Sequence, residues 1–222
     1  MIDPDPALVD AIAARGESLR RRITERTDRP VTIVCVTKAH PPAVAAAARS
    51  AGFEDLGENY AQELRAKAGE LDGLPEPTRW HFIGQAQTNK VRLIADVVDL
   101  WHTVDRASLA VELAKRVPGA RVLVQLDLAD RPGRGGCDPA DTPALVQRCR
   151  DLGLVVEGLM GVGPPGPPED ARPGFRLLDR LASDLGLAVR SMGMSGDLDV
   201  AVEEGATMVR IGSALVGPRE RA

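Results

Sequence analysis

Cysteine is scarce in this chain. The three present, Cys35, Cys137 and Cys149, are an odd set with no C-x-x-C pair. That usage speaks against a disulfide framework and suggests reduced thiols in a cytoplasmic protein, with Cys35 in its apolar run a small core residue. No apolar stretch reaches the roughly 20 residues that a membrane span requires. The opening residues, Met1-Ile2-Asp3-Pro4-Asp5-Pro6, are acidic and lack the basic and apolar regions of a signal peptide. No Lys/Arg block occurs, and a formal net charge of −4 argues against a nucleic-acid surface. Tyrosine is nearly absent too: Tyr60 is the only one.

What the chain does have is a repeated grammar. Its 222 residues, 44% hydrophobic and 27% charged, suit a soluble globular protein. Gly ends a helix-like stretch and leads into a strand at Ala51-Gly52-Phe53, Leu152-Gly153-Leu154, Leu185-Gly186-Leu187 and Glu204-Gly205-Ala206. Gly tolerates the left-handed conformation that a helix C-terminus asks for. Asp5-Pro6 and Asp138-Pro139 read as helix starts, an N-cap acceptor before a Pro whose missing N–H costs nothing there. Leu8, Ile12, Leu19 and Ile23 recur at helical spacing, as do Leu109, Ala110, Leu113, Ala114 and Val117.

Strands are expected over about 31–37, 53–57, 79–84, 97–103, 121–128, 154–161, 188–193 and 207–211, after one extra helix at 6–27. Several are near-continuous apolar runs, as buried parallel strands are. Eight βα units in this length predict an α/β protein, a single (β/α)8 TIM barrel with an extra N-terminal helix, forming one domain over 1–222. A doubly wound open sheet is the alternative, because strand count does not show closure. The Pro/Gly-rich stretches 131–136 and 163–168 each follow a strand and belong on the C-terminal face, where barrels keep their binding loops.

Lys38 ends the apolar run Val31–Val36 and precedes His40-Pro41-Pro42. Apolar walls disfavour a charged ammonium, and a Lys that loses its proton readily is a nucleophile for a Schiff base. The bland alternative is a strand-end Lys pointing into water. Two later strand ends carry Met194-Ser195-Gly196 and Gly212-Ser213, whose backbone N–H groups and hydroxyls read as an anion cradle at helix N-termini. Ordinary turns of small residues are the competing reading. Arg210, between Val209 and Ile211, points either into the barrel mouth or to a structural ion pair with Glu58 or Asp127. A strand-end Lys, a phosphate cradle and an inward Arg together suggest pyridoxal 5′-phosphate (PLP).

The chain resembles the YggS/PROSC-type pyridoxal phosphate homeostasis proteins, relatives of the N-terminal barrel of alanine racemase. The resemblance is carried by Val36-Thr37-Lys38, Gly57-Glu58-Asn59-Tyr60, Trp80-His81-Phe82-Ile83-Gly84, Gly193-Met194-Ser195 and Met208-Val209-Arg210-Ile211-Gly212-Ser213-Ala214, and these segments span nearly the whole chain in the family's order. It implies PLP held on Lys38 as an aldimine, with Ser195, Gly212 and Ser213 at the phosphate and Met194 among the cofactor-binding residues. It also implies Arg210 at the pyridine nitrogen and Asn59 as a further contact. No metal site is implied. Two departures stand out. Where the family often has Leu-Gln after the Ile-Gly turn, this chain reads Gln85-Ala86-Gln87, and the fifth-strand loop reads Gly133-Arg134-Gly135-Gly136 without the usual Lys.

The implied function is storage and delivery of PLP by a cytoplasmic monomer, with PLP-requiring apoenzymes as partners and no catalytic residue. A PLP-dependent amino-acid racemase is the alternative, and a phosphosugar-type barrel without PLP is a third class. His81, Trp80 and Trp101 read as packed, structural residues, and Tyr60 as a capping or packing residue at a helix start.

Overall fold

The computed structural model describes residues 4–72, 78–129 and 135–218. Eight parallel strands close into a barrel in sequence order: β1 (Thr32–Val36), β2 (Asp55–Glu58), β3 (Arg79–Phe82), β4 (Leu100–Val104), β5 (Arg121–Gln125), β6 (Val155–Met160), β7 (Val189–Ser191) and β8 (Met208–Ile211). Closure is made by β8 against β1, in register from Thr32 opposite Met208 to Cys35 opposite Ile211. The open-sheet alternative is thereby removed. Helix α1 (Pro6–Thr24) precedes the barrel. The crossovers are α2 (Pro42–Ser50), α3 (Ala61–Leu71), α4 (Thr88–Ile94), α5 (Ala107–Arg116), α6 (Thr142–Asp151), α7 (Arg172–Asp184) and α8 (Leu198–Glu203), and α9 (Ser213–Val216) follows the last strand.

Local signals act largely as the residues suggest. Gly52, Gly153, Gly186 and Gly205 all take positive φ after their helices. Asp5 Oδ1 accepts from Ala7 N–H at 3.0 Å and caps α1. Asp138-Pro139 differs. Asp138 accepts from Ala140 N–H at 2.8 Å and its carbonyl from Asp141 N–H at 2.9 Å, so the pair builds a turn and α6 begins only at Thr142. β4 also starts later than its apolar run, because Val97 and Val98 N–H groups both donate back to Ile94 O and close the last turn of α4.

The main core lies between the strands and the helices, where Trp101, Phe175, Ile12 and Leu113 are all fully buried. Inside the barrel the apolar layer is small: Val34, Leu100, Leu123, Met160 and Met208. The rest of the interior is polar, and the C-terminal strand ends bring the candidate residues to one mouth.

Candidate functional site

Lys38 sits just beyond β1 in a turn closed by His40 N–H donating to Thr37 O at 3.2 Å. The next residue, Ala39, has φ of 58°, a left-handed conformation that costs a non-Gly residue about 1 kcal/mol. The turn is gripped from behind by α3. Glu63 Oε2 accepts from Ala39 N–H at 2.8 Å, and Lys67 Nζ donates to Thr37 O at 2.7 Å. Lys67 also pairs with Glu58 Oε1 at 2.6 Å, and Thr37 Oγ1 donates to the same oxygen at 2.7 Å. Both charges are buried, and burial raises the Glu58 carboxyl above its usual range despite the Lys67 ammonium beside it.

The turn opens onto a cavity of about 390 Å3 at the barrel mouth. Lys38, Asn59, Met194, Ser195, Arg210, Gly212 and Ser213 all line it, so the structure brings every sequence-predicted residue to one place. Val36, Ile83, Met160 and Val162 supply apolar walls. Met194 is 39% exposed and stands at the rim. Its N–H donates to Asp197 Oδ1 at 2.6 Å, which closes the loop around Ser195 and Gly196. These two residues belong to that turn rather than to the first turn of α8, whose N-cap is Asp197. The loop leaves β7 through Gly193, where φ is 96° and an added Cβ would lie 2.5 Å from the Ala201 side chain. Gly212 is the N-cap of α9.

The lining carries two cationic side chains, Lys38 and Arg210, two serine hydroxyls, and no Asp or Glu among the described residues. Asn59 Oδ1 is buried without a hydrogen-bond partner. Such a donor-rich mouth lacks an anion, and an orphaned amide oxygen lacks a donor. Arg210 is 5% exposed. Its Nη1 donates to Ser191 O and Ser191 Oγ, both at 2.7 Å, and Nη2 to Gly161 O at 2.9 Å. Burial pushes the guanidinium down to about 10, opposed by Asp197, so it stays charged at neutral pH. The ion pair with Glu58 is not made, since Glu58 is engaged by Lys67 and Thr37.

Behind Arg210 runs a buried polar line that sequence reasoning missed. Ser191 Oγ lies 3.1 Å from His102 Nδ1, His102 Nε2 lies 2.8 Å from His81 Nδ1, and His81 Nε2 lies 2.9 Å from Asp55 Oδ1. Arg79 closes the far end on both Asp55 oxygens at 2.7–2.8 Å. Burial above all, with the neighbouring His81 ring and the Arg210 guanidinium, holds His102 well below the ordinary imidazole range. For Asp55, burial raises the carboxyl, but the hydrogen bonds from Arg79 and His81 and the Arg79 charge prevail and hold it below the usual range. His81 is the packed, hydrogen-bonded residue its setting suggested, and Trp80 and Trp101 are buried. Tyr60 is the N-cap of α3, where its carbonyl accepts from Leu64 N–H at 2.9 Å, but its side chain makes no cap and is 55% exposed. His40, passed over in the sequence, also lines the cavity. Of the two Gly/Pro loops, residues 131–134 lie outside the described residues.

A closed parallel barrel with a strand-end Lys and an anion-seeking mouth defines a cofactor-binding (β/α)8 protein, and comparison makes the class specific. Residues 9–220 match the family model of the alanine racemase N-terminal domain. The chain is 40% identical over 203 residues to the pyridoxal phosphate homeostasis protein of Pseudomonas aeruginosa, covering 88% of this chain and 87% of that protein. PipY of Synechococcus elongatus, solved with PLP bound, is 34% identical and superposes with a TM-score of 0.80 over 93% of this chain and all of that one. Alanine racemase of Bartonella henselae, 17% identical with a TM-score of 0.73, shares the fold, and this chain covers 59% of it. This chain belongs to the pyridoxal phosphate homeostasis protein family.

Proposed function

We propose that this protein binds PLP in the barrel-mouth cavity through Lys38 and serves PLP homeostasis, storing and delivering the cofactor without turning over amino acids. The observation that carries this reading is the cavity lining: Lys38 and Arg210, the Ser195 and Ser213 hydroxyls, and no carboxylate among the described residues. When bound, PLP supplies an aldehyde carbon open to an amine and a ring that withdraws electrons from a carbon attached there.

The chain's own groups have separate tasks. Lys38 presents the amine from a turn whose carbonyl and N–H are tied to Lys67 and Glu63. Ser195, Gly212 and Ser213, with Met194 at the rim, would hold the phosphate end. Arg210 would be the partner of the pyridine nitrogen, and its retained charge would disfavour a proton there and weaken the ring as an electron sink. Asn59 Oδ1 is left to accept from the ligand. Val36, Ile83, Met160 and Val162 line the same cavity and would keep water from the bound ring.

The whole chain is read as one PLP-binding domain acting as a monomer, with PLP-requiring apoenzymes receiving the cofactor. No helix among the described residues is long and apolar enough to cross a membrane. Three unpaired, buried thiols suit a reducing cytoplasm, where we place the protein.

Incubation with PLP, borohydride reduction and peptide mapping tests the reading. The pyridoxyl group should appear on the peptide holding Lys38, and Lys38→Ala should lose both label and visible absorbance while keeping its circular dichroism. A label on another lysine, or absorbance retained in Lys38→Ala, overturns it.

A further inference from the structure

The two residues that flank Lys38 are held in different ways. Thr37 is fixed from inside the fold. Its N–H donates to Gly57 O at 3.1 Å, its hydroxyl donates to Glu58, and its carbonyl accepts from Lys67. Glu58 and Lys67 are themselves buried and paired with each other. Ala39 is exposed, and its backbone is left-handed, with φ of 58°. Pro41 and Pro42, two and three residues further on, have no N–H with which to anchor the chain. What meets the Ala39 N–H is the Glu63 carboxylate, at 2.8 Å.

That carboxylate is well placed for the task. Glu63 lies in the first turn of α3, where a negative charge is favoured by the helix dipole. Lys67, one turn on, has its Nζ 3.6 Å from Glu63 Oε2. The same ammonium therefore reaches the carbonyl before Lys38 and the carboxylate that grips the residue after it. Alanine seldom takes the left-handed region, and it stays there only where its surroundings impose it. Glu63, at 35% exposure, is the outermost member of this clamp and the one that bears on the strained residue.

We infer that Glu63 is a positioning residue for Lys38: its carboxylate holds Ala39 in the left-handed conformation that directs the Lys38 amine into the mouth cavity. Without that acceptor, Ala39 relaxes to negative φ and Lys38, its covalent neighbour, loses its fixed direction. The inference rests on the reading that Lys38 captures the PLP aldehyde, and it adds which side chain outside the cavity governs that amine.

Pyridoxal is the probe, because it carries the aldehyde without the phosphate and so reports on the Lys38 end alone. Glu63→Ala should raise its apparent Kd about tenfold in an absorbance titration, with circular dichroism unchanged. Glu63→Gln keeps an acceptor oxygen and should stay within about threefold of the parent. Ala39→Gly gives the readout that general loosening would not move. Glycine takes the left-handed conformation freely, so Glu63→Ala should cost about fivefold less when it is added to Ala39→Gly. Borohydride reduction and peptide mapping of the parent protein keep the two questions apart. A label away from Lys38 overturns the PLP reading and this inference with it. With the label on Lys38, parental pyridoxal affinity in Glu63→Ala overturns the inference alone. So does an equal Glu63→Ala penalty with and without Ala39→Gly, or a Glu63→Gln protein as impaired as Glu63→Ala.

Discussion

His81 Nδ1 lies 2.8 Å from His102 Nε2, and this contact joins two strands' worth of polar groups into one line across the barrel interior. For neutral imidazoles, the ends of the line fix its protons. Arg210 can only donate and the ionised Asp55 can only accept. With both imidazoles neutral, His81 Nε2–H donates to Asp55, His102 Nε2–H donates to His81 Nδ1, Ser191 O–H donates to His102 Nδ1, and Arg210 donates to Ser191. Every member is then satisfied, which is the condition under which a buried polar network rigidifies rather than destabilises.

Ser191 is therefore a positioning residue for Arg210. Ser191→Ala removes one acceptor from the guanidinium and leaves His102 Nδ1 without a donor. A hydrogen bond to a charged group is worth about 1.5–3 kcal/mol, so PLP affinity should fall about tenfold or more. The absorbance maximum of bound PLP should also shift, a readout that simple loosening of the barrel would not move. Titration with PLP followed by absorbance checks both, and wild-type affinity with a wild-type spectrum would show that Ser191 does not aim Arg210.

Asp55 predicts an acid-side effect at the far end. Its carboxyl is held below its unfolded value, so the associated stability is present above about pH 4 and is lost as pH falls from there. Asp55→Asn should be less stable than the parent at pH 7 by about 1–3 kcal/mol, and the two should converge as pH approaches 3. Urea midpoints across that range decide it. A constant gap from pH 7 to pH 3 would mean that Asp55 does not titrate with folding.

Much of this architecture was legible in the residues, for physical reasons that also mark the limit. Helix ends at Gly52, Gly153, Gly186 and Gly205 are local events, set by one residue's backbone freedom. The mouth residues were legible because chemistry at strand C-termini converges in any closed parallel barrel. The interior line was not, because His102 and Ser191 are 89 positions apart on strands that are not neighbours. Only the inward parity of His81, His102 and Ser191 hinted at it, and parity does not say which group lies opposite which. Asp138-Pro139 misled because an Asx turn and an N-cap use the same acceptor.

The buried Glu58–Lys67 pair behind Lys38 makes a sharper claim about stability. Lys67→Met leaves a carboxylate buried without its cation and should cost about 3–5 kcal/mol at pH 7. Glu58 already has a raised carboxyl pKa, and losing Lys67 raises it further. A raised acid binds its proton more tightly when folded, so part of the loss should return as pH falls toward 5. The double variant Glu58→Gln/Lys67→Met should recover most of the stability. A Lys67→Met penalty that does not change between pH 7 and pH 5 would contradict the pairing.

The last prediction concerns turnover. Exchanging the α-proton of an amino acid through a two-base route needs an acid/base within hydrogen-bond reach on each side of the reacting carbon. Along the described lining, Lys38, His40 and Arg210 are the titratable side chains, and Arg210 is committed to Ser191 and Gly161. Tyr60, the single phenol, is exposed and is not part of the mouth lining. Among the described residues of the lining, that leaves His40 as the group able to partner Lys38. If the site stores its cofactor, PLP-loaded protein incubated with L- or D-alanine should show no change of chirality above the rate of free PLP. Sustained racemisation that vanishes in Lys38→Ala and falls at least about a hundredfold in His40→Ala, the scale of a lost general acid or base, would make this barrel an enzyme.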